Sequence, residues 1–581
     1  MPKLWGSLAG IARVGAVVLA GITLVLANGP ARAQTVNGEE FQRIEAVHVS
    51  IANPTADKPL NARIEDQVRR VIGAFPSQRF DPDTFDFTLA RAGRDARIGD
   101  IGYTVAFGPT GGVILDVTVT LKDPGALSQA RGMLATGEAK DFPILYDSNG
   151  TFLKLKLEST ALHYGNANAW YGRPDLMLAG NPLVVGTPSG KGYEHWAEGF
   201  VQGGIYGITP VTESFYAYGG VSAIASGSVG QELFTDETRG FIGVEDAYAG
   251  FVTGTTTSEG NRLAFNASAG RQRFLLGDGF LIANTSANGY NRAALQANPR
   301  WAADMLVLAQ LSYNGTEVEA FYLDPDELPI VDSQTKIQGI NFETSPTPSL
   351  DIGLSFLRVP ESNFGYYTPT QTFSREGLQV YDARFRWQPN EVGRSGPFVA
   401  GEFAVQRNEN FDMRAYGYYG EAGYNFAELP WTPTFSYRYA RFTGDDPATS
   451  RFERWDPLLS GGNGEQWVQG INQFKIWQDS NVIAHRFQMR LRPTPMIELV
   501  PQVWLFRADS TTNLGGNPAL SFLGSDDLGY EINLTGKVFV SRQVYVQGHV
   551  AATVPGDAVK TALGQEQHPW WSTMLFVRVA F

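Results

Sequence analysis

The chain has 581 residues, 43% hydrophobic, 12% aromatic and only 18% charged, with 64 Gly, no Cys and a formal charge of −13. This mixture excludes disorder, collagen and a disulfide scaffold. The lack of Cys removes thiolate zinc sites and cysteine nucleophiles. So acidic a chain is also a poor partner for nucleic acid, whose binding is driven by neutralising phosphates.

Lys3 and Arg13 border a basic start, residues 14–27 are an almost unbroken apolar run, and Ala31-Arg32-Ala33 offers small residues at cleavage spacing. Residues 1–33 are therefore expected to be a Sec-type signal peptide cut after Ala33. The cut removes Lys3, Arg13 and Arg32 and no acid, so the exported chain is more acidic still. No later segment reaches the roughly 18 apolar residues of a spanning helix. The exported chain then either is soluble or crosses a membrane as a closed barrel.

Residues 34–125 read as a small α+β domain. Residues 44–49 alternate like a strand, and residues 62–74 place Ile64, Val68, Val71 and Ile72 on one helical face. Asp81-Pro82 opens a second helix, with Asp81 as cap and Phe85, Leu89 and Ala92 at helical spacing. Residues 101–107 and 113–121 form a hairpin across a glycine-rich turn. This β-α-α-β-β order, with IEAVHV, RIEDQVRRVIG and FDPDTFDFTLARAGRDARIGDIGYTV, resembles a POTRA (polypeptide-transport-associated) domain. The resemblance implies a periplasmic domain that docks a protein partner by strand addition at a sheet edge. The plain alternative is a plug or spacer that shares the topology.

Residues 126–150 are assigned to a linker and residues 151–581 to one β-domain. Leu153, Leu155 and Leu157 alternate with Lys154, Lys156 and Glu158; Tyr530, Ile532 and Leu534 alternate with Glu531, Asn533 and Thr535. Each strand has one apolar and one mostly polar face. Short turns at 313–316, 345–348, 428–430, 493–495 and 541–542 fall at every second joint. Between them lie long loops such as 160–194, 274–303, 359–377, 443–482, 508–528 and 555–569. The pattern predicts an all-β transmembrane barrel of about 18 antiparallel strands, with short periplasmic turns and long outer loops. Its surroundings would be outer-membrane lipid, with both termini in the periplasm. A soluble β-sandwich is the competing fold, and would turn its apolar faces inward. The terminal Phe581 resembles the signal read by the barrel-assembly machinery, and Trp570 and Trp571 suit an aromatic girdle at the opposite interface.

Projecting the alternation inward places Asp382, Arg384, Arg386, Glu402, Glu421, Arg438, Arg486, Arg490, Arg492 and Arg578 along the bore. Guanidinium groups in a narrow channel attract carboxylates or sulfates despite an acidic total charge. Equally, these charges can pair across strands and merely keep the interior wet.

Glu245-Asp246-Ala247-Tyr248, then Gly270-Arg271-Gln272 and Gly277-Asp278-Gly279, resemble the alginate-export family of outer-membrane barrels over residues 240–285. That resemblance implies a monomeric barrel whose arginine-lined pore passes a polyuronate outward. It makes Arg271 the pore-facing arginine and Asp246 its partner acid. Strict alternation from Leu263 turns Arg271 toward lipid, so a bulge near Gly270 is expected. The N-terminal domain is foreign to the simple family pattern.

A protein translocator, of the two-partner-secretion or assembly-factor kind, is the rival reading. Its Arg-Gly-aromatic signature has one candidate, Arg239-Gly240-Phe241, which lies too early in the chain. A structural or adhesion barrel is a third. An enzyme is not expected: the six His have no metal spacing, and no Gly-x-Ser-x-Gly or P-loop occurs. No cofactor is implied. Asp324, Asp326, Glu327 and Asp332 form either a calcium loop or, more simply, a solvated acidic loop.

Overall fold

The computed structural model describes residues 42–581 apart from 56–57, 74–78, 96, 123–143, 149, 170–192, 231–237, 260, 369, 461–469, 473–478, 513–522, 542 and 564–567. The expected signal peptide, most of the linker and Arg542 of the last short turn lie outside the described residues.

The N-terminal domain contains β1 (Ile44–Ile51), α1 (Lys58–Ile72), α2 (Pro82–Ala92), β2 (Ile98–Phe107) and β3 (Val113–Leu121). The sheet order is β1-β3-β2, with β1 parallel and β2 antiparallel to the central β3. Helix α1 buries Ile64, Val68 and Ile72 against it. Asp81 caps α2, accepting from the amide of Asp83, and Pro82 occupies the first turn where its missing N–H costs nothing.

Next come the short β4 (Ile144–Ser148) and then β5 (Thr151–Ala167), β6 (Tyr193–Pro210), β7 (Phe215–Gly230), β8 (Arg239–Thr256), β9 (Arg262–Arg271), β10 (Met305–Tyr313), β11 (Thr316–Asp324), β12 (Lys336–Thr347) and β13 (Leu350–Glu361). A small outer hairpin, β14 (Gly365–Tyr367) and β15 (Thr372–Ser374), precedes β16 (Leu378–Trp387), β17 (Gly396–Asn408), β18 (Ala415–Asn425), β19 (Thr434–Phe442), β20 (Val482–Thr494) and β21 (Ile497–Ala508). The chain ends with β22 (Asp527–Phe539), β23 (Val544–Pro555), the helix α3 (Asp557–Leu563) and β24 (Trp570–Ala580).

Among the described residues, β5–β13 and β16–β24 make a closed wall of 18 antiparallel strands, sealed by β24 against β5. Closure satisfies every strand edge, as hydrocarbon demands. Beyond Phe581, β4 takes over the partnership with the lower end of β5. The alternation points the expected way. Along β22, Tyr530, Ile532 and Leu534 are exposed while Glu531, Asn533 and Thr535 are buried. The sandwich alternative, which needs apolar faces inside, is thereby excluded. At the 313–316 turn, Asn314 takes φ 51°, the left-handed geometry that an Asn-Gly hairpin uses. One expected loop is shorter than the sequence suggests: β5 continues to Ala167 rather than stopping at 159, because β24 and β6 both pair with it.

The long loops do not simply stand outward. Phe280 and Ile282 of the segment between β9 and β10 are fully buried. The Phe280 ring packs 5.5 Å from that of Phe442 and 5.7 Å from that of Trp455.

The N-terminal domain does not hang free below the barrel. Lys154 of β5, 2% exposed, lies 2.8 Å from Asp83 and 2.6 Å from Asp86 of α2, and Lys156 lies 3.3 Å from Asp83. Phe152, Tyr206, Ile208 and Tyr216 of the wall join the domain's apolar core. Farther around the ring, Thr434 donates to the Pro109 carbonyl at 2.8 Å, Arg492 donates to that of Gly108, and Phe107 packs on Phe539 at 4.3 Å. Contacts from β5 round to β22 set the domain in one mouth of the barrel.

Burial acts to raise the Asp83 carboxyl, but the Lys154 and Lys156 ammoniums outweigh it and hold Asp83 well below its ordinary range. A depressed carboxyl adds stability above its unfolded value, near 3.9, and loses it as pH falls through the folded value. The Asp83 contribution to docking is therefore expected to be present at neutral pH and to be lost only below about pH 4, whereas burial raises the Asp86 carboxyl and gives its contribution the opposite sign. Asp83→Asn strands buried lysine charge and should cost about 3 kcal/mol of docking. Limited proteolysis of the full chain in detergent measures both: the variant should release the domain to protease at neutral pH, and unchanged resistance would contradict the role of this carboxylate.

Candidate functional site

The interior wall is built from the inward parity of neighbouring strands. On β16, Asp382, Arg384 and Arg386 share one face. Arg384 donates to Asp382 at 2.8 Å, Glu343 at 2.6 Å and Ser355 at 2.7 Å. Glu402 is buried on β17, opposite Arg384 in register. Arg386 has no carboxylate within salt-bridge distance among the described residues, and its guanidinium lies 5.2 Å from the centre of the Phe398 ring. Glu421 accepts from Arg438 at 2.9 Å and from Arg486 at 2.6 Å. Glu498 accepts from Arg490 and Arg492, both at 2.9 Å, with Lys537 at 3.4 Å. Arg578 pairs with Glu158 at 2.7 Å across the closing seam. Six of the arginines projected inward, Arg384, Arg438, Arg486, Arg490, Arg492 and Arg578, thus each hold a carboxylate.

Three expectations need correction. Arg271 does not meet Asp246. Its guanidinium reaches Asp304 at 2.8 Å and also Asp326, whereas Asp246 accepts from Ser222 at 2.7 Å, Gln202 at 3.0 Å and the Tyr206 hydroxyl. The bulge is not at Gly270, where β9 pairs regularly with both neighbours. It lies opposite, on β8, where the register with β7 slips between Val221 and Ala223. The extra residue lets both Glu245 and Asp246 turn inward, 0% and 3% exposed, which an unbroken strand forbids. Third, Trp570 is not at the lipid interface. It is 0% exposed and donates its indole N–H to Asn166 at 2.8 Å, leaving Trp571, 49% exposed, on the outer face. Phe581 exchanges backbone hydrogen bonds with Leu157 of β5.

The loops carry two hubs that the sequence reading missed. Asp326 accepts from Arg300 at 2.7 Å, Arg292 at 2.8 Å and Arg271, so one carboxylate gathers three loop or strand-end guanidiniums. Burial would raise Asp326, and the arginines outweigh it, holding the carboxyl below its ordinary range. Asp324 pairs with Lys336, Glu327 accepts from Ser333 and Asp332 accepts from the Gln334 amide, so all four acids of the expected calcium or solvated loop have protein partners. Asp456 accepts from Arg375 at 2.7 and 3.0 Å and from the Tyr366 hydroxyl at 2.5 Å, joining two outer loops. The visible signal was the apolar content of the loops themselves (Phe274, Leu276, Phe280, Leu281 and Ile282), which solvated loops lack. Arg239-Gly240-Phe241 lies on strand β8 of the wall. Among the described residues no group of His, Asp or Glu side chains is arranged to hold a metal ion.

The fold resembles solved outer-membrane channels at low identity. OpdK of Pseudomonas aeruginosa is 11% identical, with a TM-score of 0.44 over 74% of this chain and 98% of that one. OccAB2 of Acinetobacter baumannii is 10% identical, with a TM-score of 0.43 over 74% and 98%. OprD of Pseudomonas aeruginosa is 12% identical, with a TM-score of 0.43 over 74% and 95%. No curated protein matches the chain. The family model for alginate export matches residues 243–572, which run from the acidic bulge of β8 into the last strand. An 18-stranded closed barrel with this match belongs to the alginate-export family of outer-membrane barrels.

Proposed function

We propose that this outer-membrane barrel conducts an anionic solute or polysaccharide along its inward arginines, and that the state described here is closed by the N-terminal domain. The observation that carries the reading is the set of inner-wall guanidiniums, each bound to a wall carboxylate, along β16, β19, β20 and β24. A guanidinium recognises any carboxylate in the same two-pronged geometry. A passing uronate therefore competes with the wall acids for these guanidiniums, and the cost of leaving each displaced carboxylate unpaired keeps net binding weak enough for release. Arg271 lies outside this path: without a bulge on β9 it keeps the outward parity of its register partner Ala247, and its guanidinium is held at the rim by Asp304 and Asp326.

The β-α-α-β-β order of the N-terminal domain supports the POTRA resemblance, and on that reading the domain lies in the periplasm and offers its sheet edge to a protein partner. The last strand, ending at Phe581, serves recognition by the barrel-assembly machinery. The translocator reading has less support, since Arg239-Gly240-Phe241 sits in the wall rather than on a loop within the bore.

Planar-bilayer recording tests the channel. The full chain should conduct little, and Asp83→Asn/Asp86→Asn should raise open probability by releasing the domain. In that background the reversal potential should favour anions. Arg384→Ala or Arg490→Ala should each weaken the preference severalfold, an effect of about 1 kcal/mol per lost charge contact. A cation-selective or permanently silent barrel in the released background would sink the proposal.

Affinity for ligand gives a second check. Oligouronates should block the open channel from either side, with block relieved by salt in proportion to charge screening. Neutral oligosaccharides of equal length should not block.

A further inference from the structure

Arg79 leaves the N-terminal domain just before α2 and is rigidly based. Its backbone bridges to that of Arg43, the Phe80 amide donates to the Gln42 carbonyl at 2.8 Å, and the fully buried Phe80 ring packs against Phe85 and Tyr103 at 5.9 and 6.1 Å. From that base the guanidinium reaches up the bore to the Gly277-Asp278-Gly279 turn of the loop between β9 and β10. It donates to the Gly277 carbonyl at 2.7 Å and to the Asp278 carboxylate. The turn is itself well made: Gly277 and Gly279 take φ 52° and 83°, which only glycine adopts freely, and the Gly279 amide donates to Leu276 at 2.9 Å. A Cβ at Gly277 would lie 2.7 Å from Nε of Arg384, so the wall arginine depends on that glycine.

On its other side, Asp278 accepts from the Tyr419 hydroxyl of the wall at 3.2 Å. Two residues on, Phe280 packs against Phe442 and Trp455, and Ala283 donates its amide to Leu459 at 2.9 Å. The same loop therefore grips a second outer loop, 443–481. A continuous chain of contacts runs from the Lys154–Asp83–Asp86 dock, through the domain and Arg79, to the outer loops.

We propose that Arg79 and Asp278 are a latch that makes the periplasmic plug and the outer loops one gate. Withdrawing the domain removes the guanidinium from the Asp278 turn, and the loop loses its inner anchor. The outer mouth then loosens in response to an event on the periplasmic side. This rests on the channel reading above, but its test does not depend on conductance.

The chain has no Cys, so Ala283→Cys in the full-length protein places a single thiol in the loop, at a site 6% exposed. In outward-facing proteoliposomes, the rate of labelling by a membrane-impermeant maleimide reports loosening of the loop. Limited proteolysis reports release of the domain. Asp83→Asn/Asp86→Asn should accelerate labelling about tenfold, within the usual range of coupling between sites. Lys154→Gln/Lys156→Gln breaks the same dock from the barrel side, so a folding defect in one pair does not decide the result. Arg79→Ala should raise labelling by itself and abolish the further effect of the dock substitutions. Labelling that stays slow while protease shows the domain released overturns the latch. Coupled labelling in a barrel that never conducts upholds the latch and refutes the channel.

Discussion

In hydrocarbon every backbone N–H and C=O must find a partner within the protein, and the rest of this molecule follows from that demand. A closed antiparallel ladder is the solution, and its period of two sends alternate residues inward whatever their chemistry. Eighteen strands enclose a bore too wide for the wall's own side chains to fill. It is filled instead by elements at the two ends of the strands, a folded domain from one mouth and apolar loops from the other. Asp278 and Arg79 meet where those two fillings touch.

The inner wall then faces a second constraint. Charges removed from water need partners, and a lone buried guanidinium or carboxylate is far more expensive than a matched pair. Glu421 between Arg438 and Arg486, and Glu498 among Arg490, Arg492 and Lys537, show the outcome: cations outnumber the acids that hold them. Such clusters are internally satisfied and still biased toward one more anion. The acidic total of the chain conceals these local clusters, because it sums them with the loops and with the wall's other carboxylates, Glu198, Glu245, Asp246, Glu319 and Glu531 among them.

Much of the architecture was legible because β alternation is a local property. The strand starts, the short turns and the inward parity of Arg384, Arg438 or Arg490 follow from residue order alone. Three features were not legible, each for a physical reason. Trp570-Trp571 looks like a girdle, but period two allows only one of an adjacent pair to face lipid, and Asn166 offers the other a hydrogen bond inside. The bulge was sought near Gly270 to turn Arg271 inward, yet the consecutive acids Glu245-Asp246 were the stronger sign, since both need partners and neither tolerates lipid. Docking of the N-terminal domain was out of reach. Lys154 and Lys156 read correctly as one polar face, but their acids lie about seventy residues earlier on a separate element, and nothing local links them.

The interface combines an apolar patch (Phe152, Tyr206, Ile208 and Tyr216 against the domain's own core) with buried lysine–aspartate pairs. The apolar part supplies most of the attraction, at about 25 cal/mol per Å² removed from water. The ionic part contributes less net affinity than it does orientation, because desolvating both partners offsets much of their mutual attraction. An interface of this composition is tight while dry and weakens sharply once water reaches the lysines, since the same charges are then better solvated apart. A plug built this way holds at rest and lets go over a narrow range of displacement. That suits a domain with a hydrophobic core of its own, which loses no internal packing when it leaves the barrel wall.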